Sequence, residues 1–187
     1  MRMERVCMEP HYFLAVSLTK PAREHLALQQ EEWKKIYSFK KWTHPEDFHL
    51  TLSFLGSADS SFLEQFKNRL QEKLPVYHSF EVVVREVGTF GHSLKPRILW
   101  AGPEASDSLQ QLYEGVQLSL EEAGRKRENR PFRPHITVAK KWDHQESITL
   151  KQDLLPFILE VKDIVLYQIF PEKTPRYKGV WNYKLMS

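Results

Sequence analysis

The chain has 187 residues, 41% of them hydrophobic and 27% charged, and its 27 basic and 24 acidic side chains leave a net charge of +3. That is enough apolar chain for a sizeable core, so wholesale disorder is excluded and one domain over residues 1–187 is expected. The charge is too mild for a nucleic-acid coat protein, although it suits an enzyme that handles an anionic group.

No stretch approaches the roughly 18 consecutive apolar residues of a membrane span. Met1-Arg2-Met3-Glu4-Arg5 leads into no apolar run of the signal-peptide kind. The single Cys7 rules out an internal disulfide and a cysteine-based zinc site. A soluble, cytoplasmic, monomeric protein with no membrane contact is expected.

In chain order, Tyr12-Phe13-Leu14-Ala15-Val16-Ser17-Leu18 is an apolar run of strand length. Thr19 and Pro21 mark the start of a helix whose apolar face is Ala22, Leu26, Trp33 and Ile36. His49-Leu50-Thr51-Leu52-Ser53-Phe54 alternates as a strand, and Gly56-Ser57 should break it. Ser61 and Glu64 have the spacing of a capping box, ahead of a helical stripe of Phe62, Phe66, Leu70 and Leu74. Phe80 to Val87 is strand-like.

The second half follows the same order. Arg97 to Gly102 predicts a strand, and Ser106 caps a helix with Leu109, Leu112, Val116 and Leu120 on one face and Gly124 as its stop. His135 to Ala139 predicts another strand, Ile148 to Leu155 a weaker helix ending at Pro156, and Val161–Phe170 and Val180–Leu185 the last strands. Tyr12 precedes His49 by 37 residues and Arg97 precedes His135 by 38. Matched order at matched spacing predicts an internal duplication: two α+β lobes facing each other across a cleft.

The informative element is a repeated tetrapeptide, His49-Leu50-Thr51-Leu52 and His135-Ile136-Thr137-Val138. On a strand, residues i and i+2 share a face, so each pattern buries two apolar side chains and presents an imidazole beside a hydroxyl. With eight His and seven Thr in the chain, the expected number of such patterns is roughly 0.05, so two at equivalent places are not an accident of composition. Two imidazoles titrating near neutrality supply an acid and a base, and threonine hydroxyls donate to non-bridging phosphate oxygens. Lys140 or Arg133 adds positive charge. That set suits metal-free in-line attack on a phosphate ester.

Phe48-His49-Leu50-Thr51-Leu52 and Arg133-Pro134-His135-Ile136-Thr137-Val138-Ala139-Lys140 resemble the two signatures of the 2H phosphoesterases, and among them the RNA 2′,3′-cyclic phosphodiesterases, also called 2′-5′ RNA ligase-like proteins. Tyr12 to Val16 and Lys95 to Gly102 extend the resemblance over nearly the whole chain. It implies a bilobal α+β fold with two mainly antiparallel sheets, flanking helices, a pseudo-twofold axis and a cleft between the lobes. It also implies hydrolysis of an RNA 2′,3′-cyclic phosphate end to a 2′-phosphate without a cofactor. On the resemblance, His49 is the proton donor to the 3′-oxygen, His135 the acceptor that activates water, and Thr51 and Thr137 hold the phosphate. Lys140 stands where relatives often carry arginine, and Ile169 where a small polar residue is common. Other readings of the same residues are a 2′-5′ oligonucleotide or small cyclic-nucleotide phosphodiesterase, and a non-catalytic RNA-end binding protein.

Other residues carry plainer expectations. His11, His25, His78 and His144 are surface residues, and His92 is a candidate for lining the cleft. His44 with Glu46 and Asp47 invites a metal reading that their spacing does not support, so no metal is expected. Phe48, Tyr12, Trp100 and Trp42 are candidates to stack on a nucleobase, against the plainer expectation that they pack in a core. Arg125-Lys126-Arg127 with Arg130 and Arg133 is a solvated loop or a track for the RNA backbone.

Overall fold

A computed structural model describes residues 9–92, 95–143, 148–150 and 154–187. Cys7 and His144 lie outside them. In order, the elements are β1 (His11–Ser17), α1 (Lys20–Ile36), β2 (Phe39–Trp42), β3 (His49–Ser57), α2 (Ser60–Lys73), β4 (Phe80–Gly91), β5 (Pro96–Pro103), α3 (Asp107–Glu122), β6 (Ile136–Trp142), β7 (Phe157–Val161), β8 (Asp163–Ile169) and β9 (Tyr177–Lys184). The fold is α+β.

The strands pair antiparallel in the order β7-β4-β5-β6-β3-β1-β8-β9, with β2 alongside β6. The two four-stranded halves meet at one residue pair, Leu50 opposite Ile136. Those residues are the second positions of the two tetrapeptides, so the seam of the molecule runs through both motifs. Outwards from the seam, the order is symmetric: β3 and β6, then β1 and β5, then β8 and β4, then β9 and β7. Chain connectivity crosses the seam, since β4 follows α2 of the first half yet lies in the second sheet half. Helix α2 has no counterpart among the described residues.

The helices lie on the apolar side of the sheet. Ala22, Leu26 and Trp33 of α1 are buried, as are Leu109, Leu112, Val116 and Leu120 of α3, in one cluster with Leu50, Leu52, Ile136 and Val138 of the motifs. Each buried Leu or Ile contributes about 1.5–3 kcal/mol, so the motifs are held chiefly by their even-numbered residues. Ile36, expected on the same stripe, is 48% exposed because α1 ends there and Tyr37 turns into the core instead.

Several local expectations are corrected. Asp59, not Ser61, caps α2, its carboxylate accepting from the Phe62 amide at 2.8 Å, and Glu64 pairs with Lys67 instead. Ser106 caps α3 as expected, bonding the Leu109 amide, and Gly124 follows the helix at φ +90°. Gly56 does not end β3: at φ +64° it bends the strand, which continues through Ser57. The run from Val161 divides at Lys162 into the end of β7 and β8. Residues 148–150 and 154–155 of the expected fourth helix are irregular, and the rest of it lies outside the described residues. The short strand β2 was not expected, because Phe-Lys-Lys-Trp carries no alternation that its four residues could display.

Candidate active site

Both tetrapeptides present the same geometry. His49 and His135 stand beside the seam, with Thr51 and Thr137 half-buried on the same face, while Leu50, Leu52, Ile136 and Val138 are at most 2% exposed on the other. In each motif Nδ1 of the histidine faces the carbonyl two residues earlier: His49 to Asp47 at 2.7 Å, His135 to Arg133 at 2.8 Å. A carbonyl only accepts, so Nδ1 carries a proton and Nε2 is the nitrogen left for chemistry.

The strands then bulge at matched points. Between Leu14 and Ala15 of β1 the register skips Leu52, and between Leu99 and Trp100 of β5 it skips Val138. A bulge shifts every later residue to the opposite face. Position His+5, which simple alternation would place with the odd residues' neighbours in the core, is thereby returned to the site face. In the second motif that residue is Lys140, and in the first it is Phe54, 64% exposed. The carbonyls at the bulges accept from buried glutamines on helices of the opposite half. Gln117 of α3 donates to Leu52 O at 3.2 Å, and Gln30 of α1 donates to Val138 O at 3.1 Å. The Thr43 amide also bonds Val138 O at 2.9 Å and Gln30 donates to Thr43 O at 2.8 Å, so the two glutamines, at 3% and 1% exposure, meet backbone carbonyls that would be costly to leave unpaired in the core.

The two imidazoles differ in surroundings. The centre of the His49 ring lies 4.5 Å from that of Phe13, 5.1 Å from that of Tyr177, which meets it edge-on, and 6.1 Å from that of Tyr167. This burial lowers its pKa from 6.5 to about 4, with the Asp47 carbonyl bond opposing and the Lys140 charge adding to the fall. His135 has the Phe90 ring edge-on at 4.8 Å, and burial also pushes its pKa down. Burial and the neighbouring Arg176 guanidinium hold Lys140 below its ordinary value. Burial raises Tyr167 to about 12.

Asp47 was not singled out for the site by its sequence position. It is 5% exposed, and its carboxylate accepts from the amides of Arg176 at 2.9 and 3.0 Å and Tyr177 at 3.1 Å, 129 and 130 residues away. It thereby fastens the start of β9, and Tyr177 with it, against His49. Nothing local in the sequence announces such a bond. Phe54 and the glutamines were missed as well, since only a bulge makes them relevant.

Phe48 is corrected as a stacking candidate: it is 3% exposed, because placing His49 in the cleft turns its neighbour into the core. Tyr12 and Trp42 pack against the core. Trp100 lies flat across Gly88 and Gly102, where an added Cβ would come within 2.3 and 2.9 Å of the indole. With Phe90, Phe132 and Arg133 it lines an open depression of about 490 Å³ beside His135. The side chain of Arg133 is exposed at its rim. His44 is engaged as a cap, Nδ1 accepting from the Glu46 amide at 3.2 Å. His92 is exposed at the end of β4. The basic loop is largely spoken for: Arg125 binds the carbonyls of Leu55 and Ser57, Arg127 pairs with Glu121 and Arg130 with Glu128.

The family model of the 2′-5′ RNA ligase superfamily matches residues 22–169. A Bacillus subtilis protein named RNA 2′,3′-cyclic phosphodiesterase is 29% identical over 183 residues, covering 95% of this chain and 98% of its own length. One of the same name from Geobacillus stearothermophilus is 31% identical over 181 residues, and there the chain spans 58% of the relative's length. Among solved structures, E. coli LigT complexed with 3′-AMP superposes with a TM-score of 0.80 at 20% identity, covering 96% of this chain and all of that one. A Thermus thermophilus structure gives 0.73 at 24% identity, covering 94% and 97%. These structural likenesses concern the fold.

Proposed function

The chain belongs to the 2′-5′ RNA ligase superfamily, and from that premise we propose that it is an RNA 2′,3′-cyclic phosphodiesterase, working through a histidine pair and no metal. Water attacks phosphorus while His135 Nε2 takes its proton. The bond from phosphorus to the 3′-oxygen breaks, and that oxygen takes the proton of His49 Nε2. The product is a 2′-phosphate beside a free 3′-hydroxyl, and the two histidines exchange their proton through solvent before the next turnover. Thr51 and Thr137 donate to the non-bridging oxygens as charge builds there. Lys140 offsets that charge, and Arg133 at the rim adds to the positive field.

The observation that carries this reading is the pairing of two imidazoles, each tied at Nδ1 to its own backbone and each beside a threonine, across a single-residue seam. A general acid and a general base on opposite sides of one phosphorus are what in-line displacement requires. The relatives named RNA 2′,3′-cyclic phosphodiesterase support the substrate. The exposed Phe54 ring on the His49 side is suited to a nucleobase, which single-stranded ends present unstacked. Each half's helix secures the other half's motif, in keeping with one domain over residues 1–187.

The test is a short RNA ending in a 2′,3′-cyclic phosphate, incubated with the protein in EDTA. A 2′-phosphate product that disappears with His49→Ala is expected. A 3′-phosphate would overturn the choice of leaving oxygen, dependence on an added divalent metal would overturn the metal-free chemistry, and no turnover would overturn the reading.

A further inference from the structure

Strand β2 carries two adjacent lysines with opposite fates. Lys40 points away from the site and pairs with Asp143 at 2.7 Å. Lys41 is the direct cross-strand partner of Lys140, so the two ammonium groups share the site face. Like charges directly opposed on an antiparallel pair destabilise it. A third cation, Arg176, completes the group: its amide is fixed by Asp47, and its guanidinium acts on Lys140 as Lys41 does. Among the described residues, none of Lys41, Lys140 and Arg176 forms an ion pair. Asp47, the carboxylate close by among the described residues, already accepts from two backbone N–H groups, those of Arg176 and Tyr177.

Three unpaired cations exceed what one cyclic phosphate, a monoanion, offsets. The threonines and Lys140 lie beside the histidines, whereas Lys41 is set back on a separate strand and is exposed. We propose that Lys41 forms a second anionic subsite, which holds the internucleotide phosphodiester immediately 5′ of the terminal nucleotide and makes the enzyme select RNA ends over mononucleotides. This rests on the phosphodiesterase reading and names the part of the substrate, beyond the reacting phosphate, that the protein recognises.

Three probes test it: a nucleoside 2′,3′-cyclic monophosphate, a dinucleotide ending in a 2′,3′-cyclic phosphate, and the same dinucleotide with a neutral methylphosphonate linkage. The native protein is expected to show a KM for the charged dinucleotide about five- to tenfold below that of the other two, with similar kcat. Lys41→Ala removes that advantage and leaves the mononucleotide unchanged, Lys41→Arg keeps it, and Lys40→Ala, on the other face, does not alter it. The salt dependence of dinucleotide binding should also weaken by about one phosphate contact in Lys41→Ala.

Equal KM for charged and neutral linkages in the native protein, or an equal loss on mononucleotide and dinucleotide in Lys41→Ala, overturns the subsite. Calorimetric binding of the same probes separates the two claims. If nothing is turned over, the phosphodiesterase reading fails. In that event, tighter binding of the charged dinucleotide that depends on Lys41 still supports the subsite, and its absence refutes it.

Discussion

The two histidine motifs are the same piece of backbone used twice in different surroundings. Both have the imidazole tied to the carbonyl two residues back, the threonine on the same face, a bulge at the next residue, and a buried glutamine from the opposite half on the bulge carbonyl. They differ in what encloses the ring. Three aromatic rings surround His49, and a buried carboxylate locks the start of β9 over it, while His135 has one aromatic edge beside an open depression. They differ also at His+5, an exposed phenylalanine in one and a lysine in the other. Matched backbone gives matched geometry, and different neighbours are what can give two identical side chains different protonation behaviour and different tasks.

Removal of either imidazole has the largest expected effect. His49→Ala and His135→Ala are each expected to cost roughly 10²–10⁴ in kcat, with the double variant close to the worse single one, since an acid and a base that act in one step are not additive. Single-turnover rates on the cyclic-phosphate RNA check this.

Asp47→Ala strikes chiefly the first motif, where Asp47 holds Tyr177 against His49. It takes the acceptor from the part-buried amides of Arg176 and Tyr177 and should lower unfolding stability by about 1–3 kcal/mol in urea titration. Arg133, which supplies only its carbonyl to His135, should tolerate Arg133→Ala with no comparable loss. The glutamines test the matched part: Gln117→Ala should cost about 1–3 kcal/mol, and Gln30→Ala less at its bulge, because the Thr43 amide still bonds Val138 O.

Acid–base behaviour gives the finest distinction. The donor must hold its proton and the base must lack one, and burial depresses both imidazoles, His49 to about 4. The kcat/KM profile, which reports the free enzyme, should therefore peak below pH 6.5, and the kcat profile should lie at higher pH because the bound phosphate anion favours the charged imidazole. A histidine whose pKa is lower folded than unfolded binds fewer protons in the native state. Its neutral form is accommodated fully above pH 6.5, and stability is lost as pH falls from 6.5 towards 4. His49→Ala should flatten that loss more than His135→Ala.

Much of the fold was legible because it rests on short-range pattern. The spacing of apolar residues in α1 and α3, the Ser106 cap and the Gly124 stop are local signals, and the structure uses them. The paired tetrapeptides were legible for the same reason, since period two dictates which side chains share a face. Local pattern failed where two signals competed, as at Asp59 against Ser61, or where an element was too short to show a period, as in β2.

The α+β order and the two histidine–threonine pairs can be read from residues 1–187 alone, because each follows from residue types at fixed small separations. It took the folded chain to show that the halves join at Leu50 and Ile136, that bulges return Phe54 and Lys140 to the site face, and that Phe48 is core. The fold alone brought Asp47 to Arg176 and Lys41 to Lys140. Those facts depend on strand register and on partners many residues apart. Hydrogen-bond satisfaction in the assembled sheet sets them, and no local period encodes it.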